Sequence, residues 1–274
     1  MAALLQVEDL RVSFDSAAGR REVLHGVSFG LESGDALGIV GESGSGKSVS
    51  LRSIIRLLPK RAEVSGSVCF DGQEVLSMSS RQLRQYRTGD VAMMFQDPRA
   101  HINPVRTIGS FLTELLVLER GVSAKDAESR AVRILGEVGV SSAARRMRQR
   151  PSELSGGLLQ RVMIAAALLA QPRIILADEI STALDVTTQE EVMAILDEER
   201  RQRGLAMVFV THDLDLAAAV CDRLLVMKDG NVVESLVPGA AMTANDPYTI
   251  ALMEARSWFE STATQEFPLA VDHG

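Results

Sequence analysis

A chain of 274 residues with 46% hydrophobic but only 4% aromatic residues can bury a substantial core without disulfides or metals, and its aliphatic bias favours helices and parallel strands over an aromatic-rich β-sandwich. Its formal net charge of −7 argues against a protein whose main task is to hold a nucleic-acid backbone, which takes a basic face. The two cysteines, Cys69 and Cys221, lie far apart without CxxC spacing, so they support neither an iron–sulfur cluster nor a zinc site and suit a reducing compartment.

The chain opens on MAALLQVEDLRVSF, which lacks a basic n-region and carries too short an apolar run for a signal peptide, so secretion is not expected. Leu5 to Phe14 alternates as a strand, and Glu22 to Leu31 reads as its partner after a polar turn at Asp15 to Arg21. Ala36 to Val40 is a short continuous apolar run, the mark of a strand covered on both faces. It runs straight into GESGSGKS, Gly41 to Ser48, after which helical periodicity from Lys47 to Leu58 stops at Pro59. Asp71-Gly72 sits between apolar alternations over Val64 to Val75, predicting a hairpin. Val91 to Phe95 is another buried strand.

Composition then changes. Thr107 to Arg120, Ala124 to Gly139 and Ser155 to Ala170 carry helical spacing with no convincing strand among them, the mark of a helical insertion. RRMRQRP, with Arg145, Arg146, Arg148 and Arg150, is the only dense cationic run and reads as a solvated helix face. Strand signals return at Ile174 to Ala177, Ala206 to Val210 and Leu224 to Lys228, alternating with helical Thr188 to Arg203 and Asp215 to Cys221. That alternation implies an α/β fold with a parallel sheet and right-handed crossovers. From about Ala240 the pattern weakens into what reads as a loosely structured tail. The longest apolar stretch, Val162 to Ala170, falls well short of the roughly 20 residues that span a bilayer; a membrane function would need another chain to do the spanning.

The glycine loop fits G-x-x-x-x-G-K-[ST] in the strand-loop-helix context that pattern needs. Gly41, Glu42, Ser43, Gly44, Ser45 and Gly46 are expected to wrap phosphate oxygens with backbone N–H groups, with Lys47 adding a positive charge, Ser48 a hydroxyl for Mg²⁺ and Val49 continuing the helix. Asp178 ends a buried strand, where a carboxylate can hold Mg²⁺; Glu179, one residue on, is placed to accept a proton from attacking water. Gln96 follows the strand VAMMF, and its neutral amide can coordinate Mg²⁺ or orient water. His212 follows AMVFV at the same sheet edge as Asp178. LSGGLLQR, from Leu154, has a different logic. Ser155, Gly156 and Gly157 open a helix and so present unpaired N–H groups and a positive dipole end. A lone SGG is ordinarily just a capped helix. Here the chain's own phosphate site is already made by the glycine loop, which suggests a phosphate supplied by another subunit.

Taken together these residues resemble the ATP-binding subunit of ATP-binding-cassette (ABC) transporters, over essentially Leu5 to Lys228. The match covers Walker A (Gly41 to Ser48), the glutamine loop (Gln96), the signature (LSGG), Walker B (Ile174 to Asp178) with Glu179, the TALD loop with Asp185, and the switch His212. Within the family, GESGSGKS, FQDP followed by INPVRTIG, ALDVTTQ and DPYTIAL are similar to the peptide, opine and nickel importer branch. The resemblance implies a RecA-like P-loop ATPase core with an N-terminal antiparallel β subdomain (1–95 and 171–240), an inserted helical subdomain carrying the signature (96–170) and a C-terminal extension (241–274). It further implies ATP and Mg²⁺ as ligands, Phe14 as the aromatic that stacks on adenine, and Asp185 as a nucleotide-site residue. Its implied partners are a second ATPase subunit, identical or not, two membrane-spanning permease subunits and, indirectly, an external solute-binding protein, at the cytoplasmic face of the plasma membrane. No nucleic-acid partner and no iron–sulfur cluster are expected.

Six residues at four places depart from the branch pattern. Ile180 stands where proline is usual after the glutamate, His101-Ile102 replaces Ser-Leu, Leu158-Leu159 replaces more polar residues, and Asp246 stands in for His in the HPYT segment. None removes a group that does chemistry, so competent hydrolysis is expected. Two other functions share the glycine loop. An ATP-driven nucleic-acid clamp usually carries a coiled-coil or zinc insertion between the glutamine loop and the signature, where this chain is short and without heptads. A metabolic phosphotransferase would leave LSGG and His212 without a task.

Overall fold

The computed structural model describes residues 3–16, 19–180, 185–239 and 243–254. In chain order the first half holds strands β1 (Leu5–Ser16), β2 (Gly19–Leu31) and β3 (Ala36–Val40), helix α1 (Lys47–Ile54), strands β4 (Ala62–Phe70) and β5 (Gln73–Glu74), helix α2 (Ser80–Gln85) and strand β6 (Val91–Met94). Helices α3 (Pro98–His101), α4 (Ile108–Leu118), α5 (Ala124–Glu137), α6 (Ala143–Arg146) and α7 (Gly156–Leu169) follow without an intervening strand. The chain then alternates through β7 (Ile174–Asp178), α8 (Val186–Arg203), β8 (Ala206–Thr211), α9 (Leu214–Val220), β9 (Arg223–Lys228) and β10 (Asn231–Leu236). A last helix, α10, covers 247–254.

The strands form two sheets. One is antiparallel with order β2-β1-β4-β5; the other has order β10-β9-β3-β8-β7-β6 and is parallel except for β10. Strands β3, β7 and β8 are buried at every residue, which is why the sequence writes them as continuous apolar runs rather than alternations. Their pleat still divides the side chains between two cores. Leu37, Ile39, Ile174, Leu176, Val208 and Val210 face α1 and the antiparallel sheet. Val40, Ile175, Ala177, Met207 and Phe209 face the layer built from α4, α5, α7, α8 and α9. Each buried Val, Leu, Ile, Met and Phe side chain among these contributes about 1.5–3 kcal/mol relative to exposure.

Four sequence expectations change. The helix after the glycine loop ends at Ile54 rather than Leu58, because Arg56 turns into the left-handed region (φ 50°). Its N–H bonds to Ser53 O at 2.9 Å, while the Leu57 N–H reaches back to Arg52 O at 2.7 Å, closing a Schellman turn. The arginine pins that turn by donating to the carbonyls of Val75 and Met78. Second, β10 was unread; the Asp229-Gly230 turn, both residues at positive φ, folds it antiparallel onto β9. Third, the tail is not loose at its start, since 247–254 is helical; residues 240–242 and 255–274 lie outside the described residues. The RRMRQRP run is only partly a helix face: α6 is four residues long, and Arg146 is half-buried with its guanidinium on Gln149.

Candidate functional site

The glycine loop leaves the end of β3 and opens α1 through three glycines at positive φ, Gly41 (148°), Gly44 (85°) and Gly46 (103°). Two of them also have no room for a side chain. A Cβ on Gly41 would strike the Met227 carbonyl, and one on Gly46 would come 2.6 Å from Leu24 Cδ2. The loop is held from outside as well, since the Gly230 N–H donates to Ser45 O at 3.0 Å. Inside it, the buried Lys47 ammonium donates to Gly41 O at 2.7 Å and Glu42 O at 2.8 Å and lies 3.9 Å from Glu179 Oε1. Burial lowers the Lys47 pKa below the usual lysine value, against the opposing pull of Glu179, Asp178 and Glu42. The buried Ser45 Oγ has no hydrogen-bond partner among the described residues. A cradle of backbone, an ammonium and a spare hydroxyl, with the first turn of α1 behind it, suits phosphate oxygens.

The carboxylates come from β7. Asp178 ends the strand, only 3% exposed, and Ser48 Oγ donates to its Oδ1 at 2.6 Å. Arg52, on the next turn of α1, approaches Oδ2 at 3.6 Å. Glu179 steps off the strand in the left-handed region (φ 49°), with its N–H on Val210 O at 2.9 Å. A non-glycine residue held there costs roughly 1–3 kcal/mol, and such strain gathers at functional sites. The turn swings its carboxylate out of the sheet, where Gln96 Nε2, one element away, donates to Oε2 at 3.0 Å. Ile180, in the usual proline's place, is 1% exposed within the apolar core, so burial anchors what a proline ring would stiffen.

The donor set fits Mg²⁺. Ser48 Oγ and Asp178 supply hard oxygens, and no group of three or more His, Cys, Asp or Glu residues is arranged for a metal among the described residues. An ion that keeps its waters and takes phosphate oxygens needs no more than one or two protein ligands.

On the neighbouring strand, Val210 of β8 pairs with Asp178, so His212 emerges just beyond the carboxylates, exposed. Its flanks are fixed: Thr211 Oγ1 accepts the Asp213 N–H at 3.0 Å, and Asp213 caps α9 through the N–H groups of Asp215 and Leu216.

LSGG makes a separate site. Ser155 is the N-cap of α7, its Oγ accepting the Leu158 N–H at 3.4 Å. Asp185 is the N-cap of α8, accepting both the N–H and the hydroxyl of Thr188, which hold its carboxyl below the usual range. The two helix starts meet in an open groove of about 450 Å³ lined by Ser155, Gly156, Gly157, Leu158, Arg161 and Asp185 among others. Gly157 has a packing role that the phosphate reading missed: a Cβ there would lie 2.5 Å from Thr188 Cγ2. Of the two unusual leucines only Leu158 lines the groove, whereas Leu159 is in the core. Thr182 to Leu184 of TALD lie outside the described residues.

The structure thus gathers Lys47, Ser48, Gln96, Asp178 and Glu179 at one sheet edge and sets Ser155, Gly156, Gly157 and Asp185 together elsewhere. Glu42, Ser43 and Gly44 are exposed on the loop's outer side, and Val49 packs half-buried against the core behind it. Phe14 sits on β1 opposite Arg21 and Ala62, half-buried against the same core. Near the glutamine loop, His101 stacks on Phe95 with ring centroids 3.9 Å apart, and Ile102 is buried. Sequence reasoning missed Arg52, the Asp229-Gly230 buttress and Tyr248. The last had a visible signal, since Asp246-Pro247 is an N-cap followed by proline at the first helical position. Asp246 does cap α10, accepting the Tyr248 N–H at 2.8 Å, which gives the departure from His a physical reason.

Residues 24–182 match the ABC transporter family. Over 253 residues the chain is 41% identical to the oligopeptide transport ATP-binding protein OppD of Salmonella typhimurium, covering 92% of this chain and 76% of that protein. It is 38% identical over 266 residues to OppD of Bacillus subtilis, covering 96% and 74%. Among solved structures, it is similar to the dimeric ATP-binding cassette MJ0796 in a post-hydrolysis state bound to ADP and Pi, with a TM-score of 0.76 at 29% identity, covering 86% of this chain and 99% of that one.

Proposed function

The chain belongs to the ATP-binding-cassette transporter family, and from that premise we propose that it is the ATP-hydrolysing subunit that powers an importer of peptides or related small solutes. The observation that supports this most is the presence of two unlike half-sites. The Lys47 cradle can hold a nucleotide by itself, while the Ser155 groove offers helix N-termini and shares no lining residue with it. A helix start that faces outward, apart from the chain's own phosphate cradle, suits a nucleotide held by a second subunit. The peptide assignment rests on the relatives, whose names specify oligopeptide transport.

ATP lies with its β and γ phosphates on the loop N–H groups and the Lys47 ammonium, and Phe14 stacks on the adenine. Ser48 and Asp178, with the Gln96 amide beside them, would hold Mg²⁺, which would offset charge on the phosphate oxygens. Glu179 takes the proton of the attacking water, its carboxylate aimed by Gln96 and by the left-handed turn. His212, braced by Thr211 and Asp213, contacts the γ-phosphate. Ser155, Gly156 and Gly157 of the second ATPase subunit close over the nucleotide, with Asp185 beside them. Chemistry is then mostly positioning and charge stabilisation, and closure and reopening of the pair drive the permeases.

No helix among the described residues is long and apolar enough to cross a membrane. The assembly proposed from the family includes two integral-membrane permease subunits, with this chain peripheral at the cytoplasmic face and an external solute-binding protein delivering cargo. Ser155→Arg tests the shared site. ATP binding to the single subunit should survive, while ATP-dependent pairing, with itself or with a second ATPase subunit, is lost in light scattering. Unchanged pairing contradicts the shared-site reading.

A further inference from the structure

Tyr248 lies more than 200 positions from the glycine loop in sequence, yet its phenol oxygen accepts the Glu42 N–H at 3.0 Å. That N–H belongs to the same peptide unit as the Gly41 carbonyl, and the Gly41 carbonyl accepts the Lys47 ammonium at 2.7 Å. One peptide plane is therefore gripped at both ends, by Tyr248 outside the loop and by Lys47 within it. The plane adjoins a glycine at φ 148°, where the backbone has little intrinsic resistance to rotation.

The tyrosine is itself held firmly. Its ring lies over the Lys228 ammonium, 4.8 Å from nitrogen to centroid. Asp246 accepts the N–H groups of Tyr248 and Thr249 at 2.8 and 3.4 Å. Glu234 of β10 in turn accepts the N–H groups of Asn245 and Asp246 at 2.7 and 3.4 Å. Lys228 ends β9, whose turn into β10 already supplies the Gly230 N–H to Ser45 O. A continuous path thus runs from the C-terminal segment through β9 and β10 to both ends of the loop.

We propose that Tyr248 is a positioning residue of the nucleotide site: its hydroxyl fixes the Gly41–Glu42 peptide and so sets where Lys47 stands, making ATP affinity depend on the C-terminal segment. This rests on the proposed ATPase function. Lys47 meets the phosphates in the bound state and in the transition state alike, so loosening it weakens binding more than turnover.

The test is Tyr248→Phe in the full chain, which keeps the ring over Lys228 and deletes only the oxygen. A net hydrogen bond of ordinary strength predicts a KM for ATP, and a Kd by fluorescent-nucleotide titration, raised roughly three- to tenfold, with kcat within about twofold. Asp246→Ala, which uncaps α10 without touching the loop, should raise both in the same direction, and the melting temperature of Tyr248→Phe should stay near that of the wild type. If wild-type protein binds ATP and Tyr248→Phe binds it equally well, the inference is overturned and the ATPase reading stands. If kcat falls while KM holds, or if KM moves only as far as thermal stability falls, the tyrosine is merely structural and the inference is again overturned. If the wild type binds no ATP, the ATPase reading fails and takes this inference with it.

Discussion

Glu179 occupies a conformation that its side-chain type avoids, and it does so where its carboxylate leaves the sheet edge. Its neighbours on β7 are buried and regular; Glu179 alone turns left-handed and meets Gln96 across the sheet edge. Glu179→Gln should keep the fold and ATP binding but lower steady-state hydrolysis by about 10²–10⁴-fold, the usual contribution of a general base. Hydrolysis at the wild-type rate would assign the base elsewhere. Gly157 carries the opposite lesson, because its position is set by packing against Thr188. Gly157→Val should destabilise the protein by about 1–3 kcal/mol through overpacking, read as a lower urea midpoint at unchanged slope. Cys221 is sealed in the core, where burial pushes its thiol pKa up to about 12. Since the thiolate is the reactive form, iodoacetamide at pH 8 should label Cys221 only after unfolding; labelling in the native state would contradict its placement.

The residues proposed for the nucleotide site are legible in the sequence because they stand at or just beyond strands whose continuous apolar runs are unmistakable. Val40, Met94, Asp178 and Thr211 end β3, β6, β7 and β8, and a parallel sheet brings these ends and the residues after them to one edge. Residues acting across the fold were not legible. Arg52 and Tyr248 reach the site through helix pitch and chain return, which no local pattern records.

Helix ends explain most of the differences between expected and observed elements. Helix α1 stops early because Arg56 accepts a left-handed turn that the apolar periodicity through Leu58 concealed. Helix α7 also ends on a left-handed residue, Gln171 (φ 47°), whose N–H bonds to Leu168 O at 2.9 Å, while Pro172 directly after it has no N–H to close a Schellman turn. Gln171 is exposed and its side chain makes only a 3.5 Å contact with Arg120. Gln171→Gly should therefore stabilise the protein by about 0.5–1 kcal/mol, relieving the left-handed penalty, measured by urea denaturation; destabilisation of that size would mean that the Arg120 contact outweighs the backbone term. Strand β10 escaped because its exposed edge gives a weak alternation, although the Asp229-Gly230 turn before it has the same pattern as Asp71-Gly72, which was read correctly.

At the scale of the whole molecule, two cores back one parallel sheet, and the chemistry divides between its edge and the start of α7. Helix α7 packs on β6 and α8 as well as on α4 and α5, so the Ser155 groove lies where the helical layer meets α8, apart from the Lys47 cradle at the sheet edge. That separation is what the proposed pairing with a second ATPase subunit, identical or not, requires. Net charge of −7 and the short interval between Gln96 and Ser155 speak against a nucleic-acid clamp, and the Ser155 groove would have no task in a metabolic phosphotransferase. The decisive measurement is ATP hydrolysis by the chain copurified with its membrane partners and reconstituted in lipid. The account predicts that turnover rises when the solute-binding protein presents peptide from the far side and is unmoved by DNA or small phosphate acceptors. Turnover that ignores the permease and rises with DNA or an acceptor would contradict it.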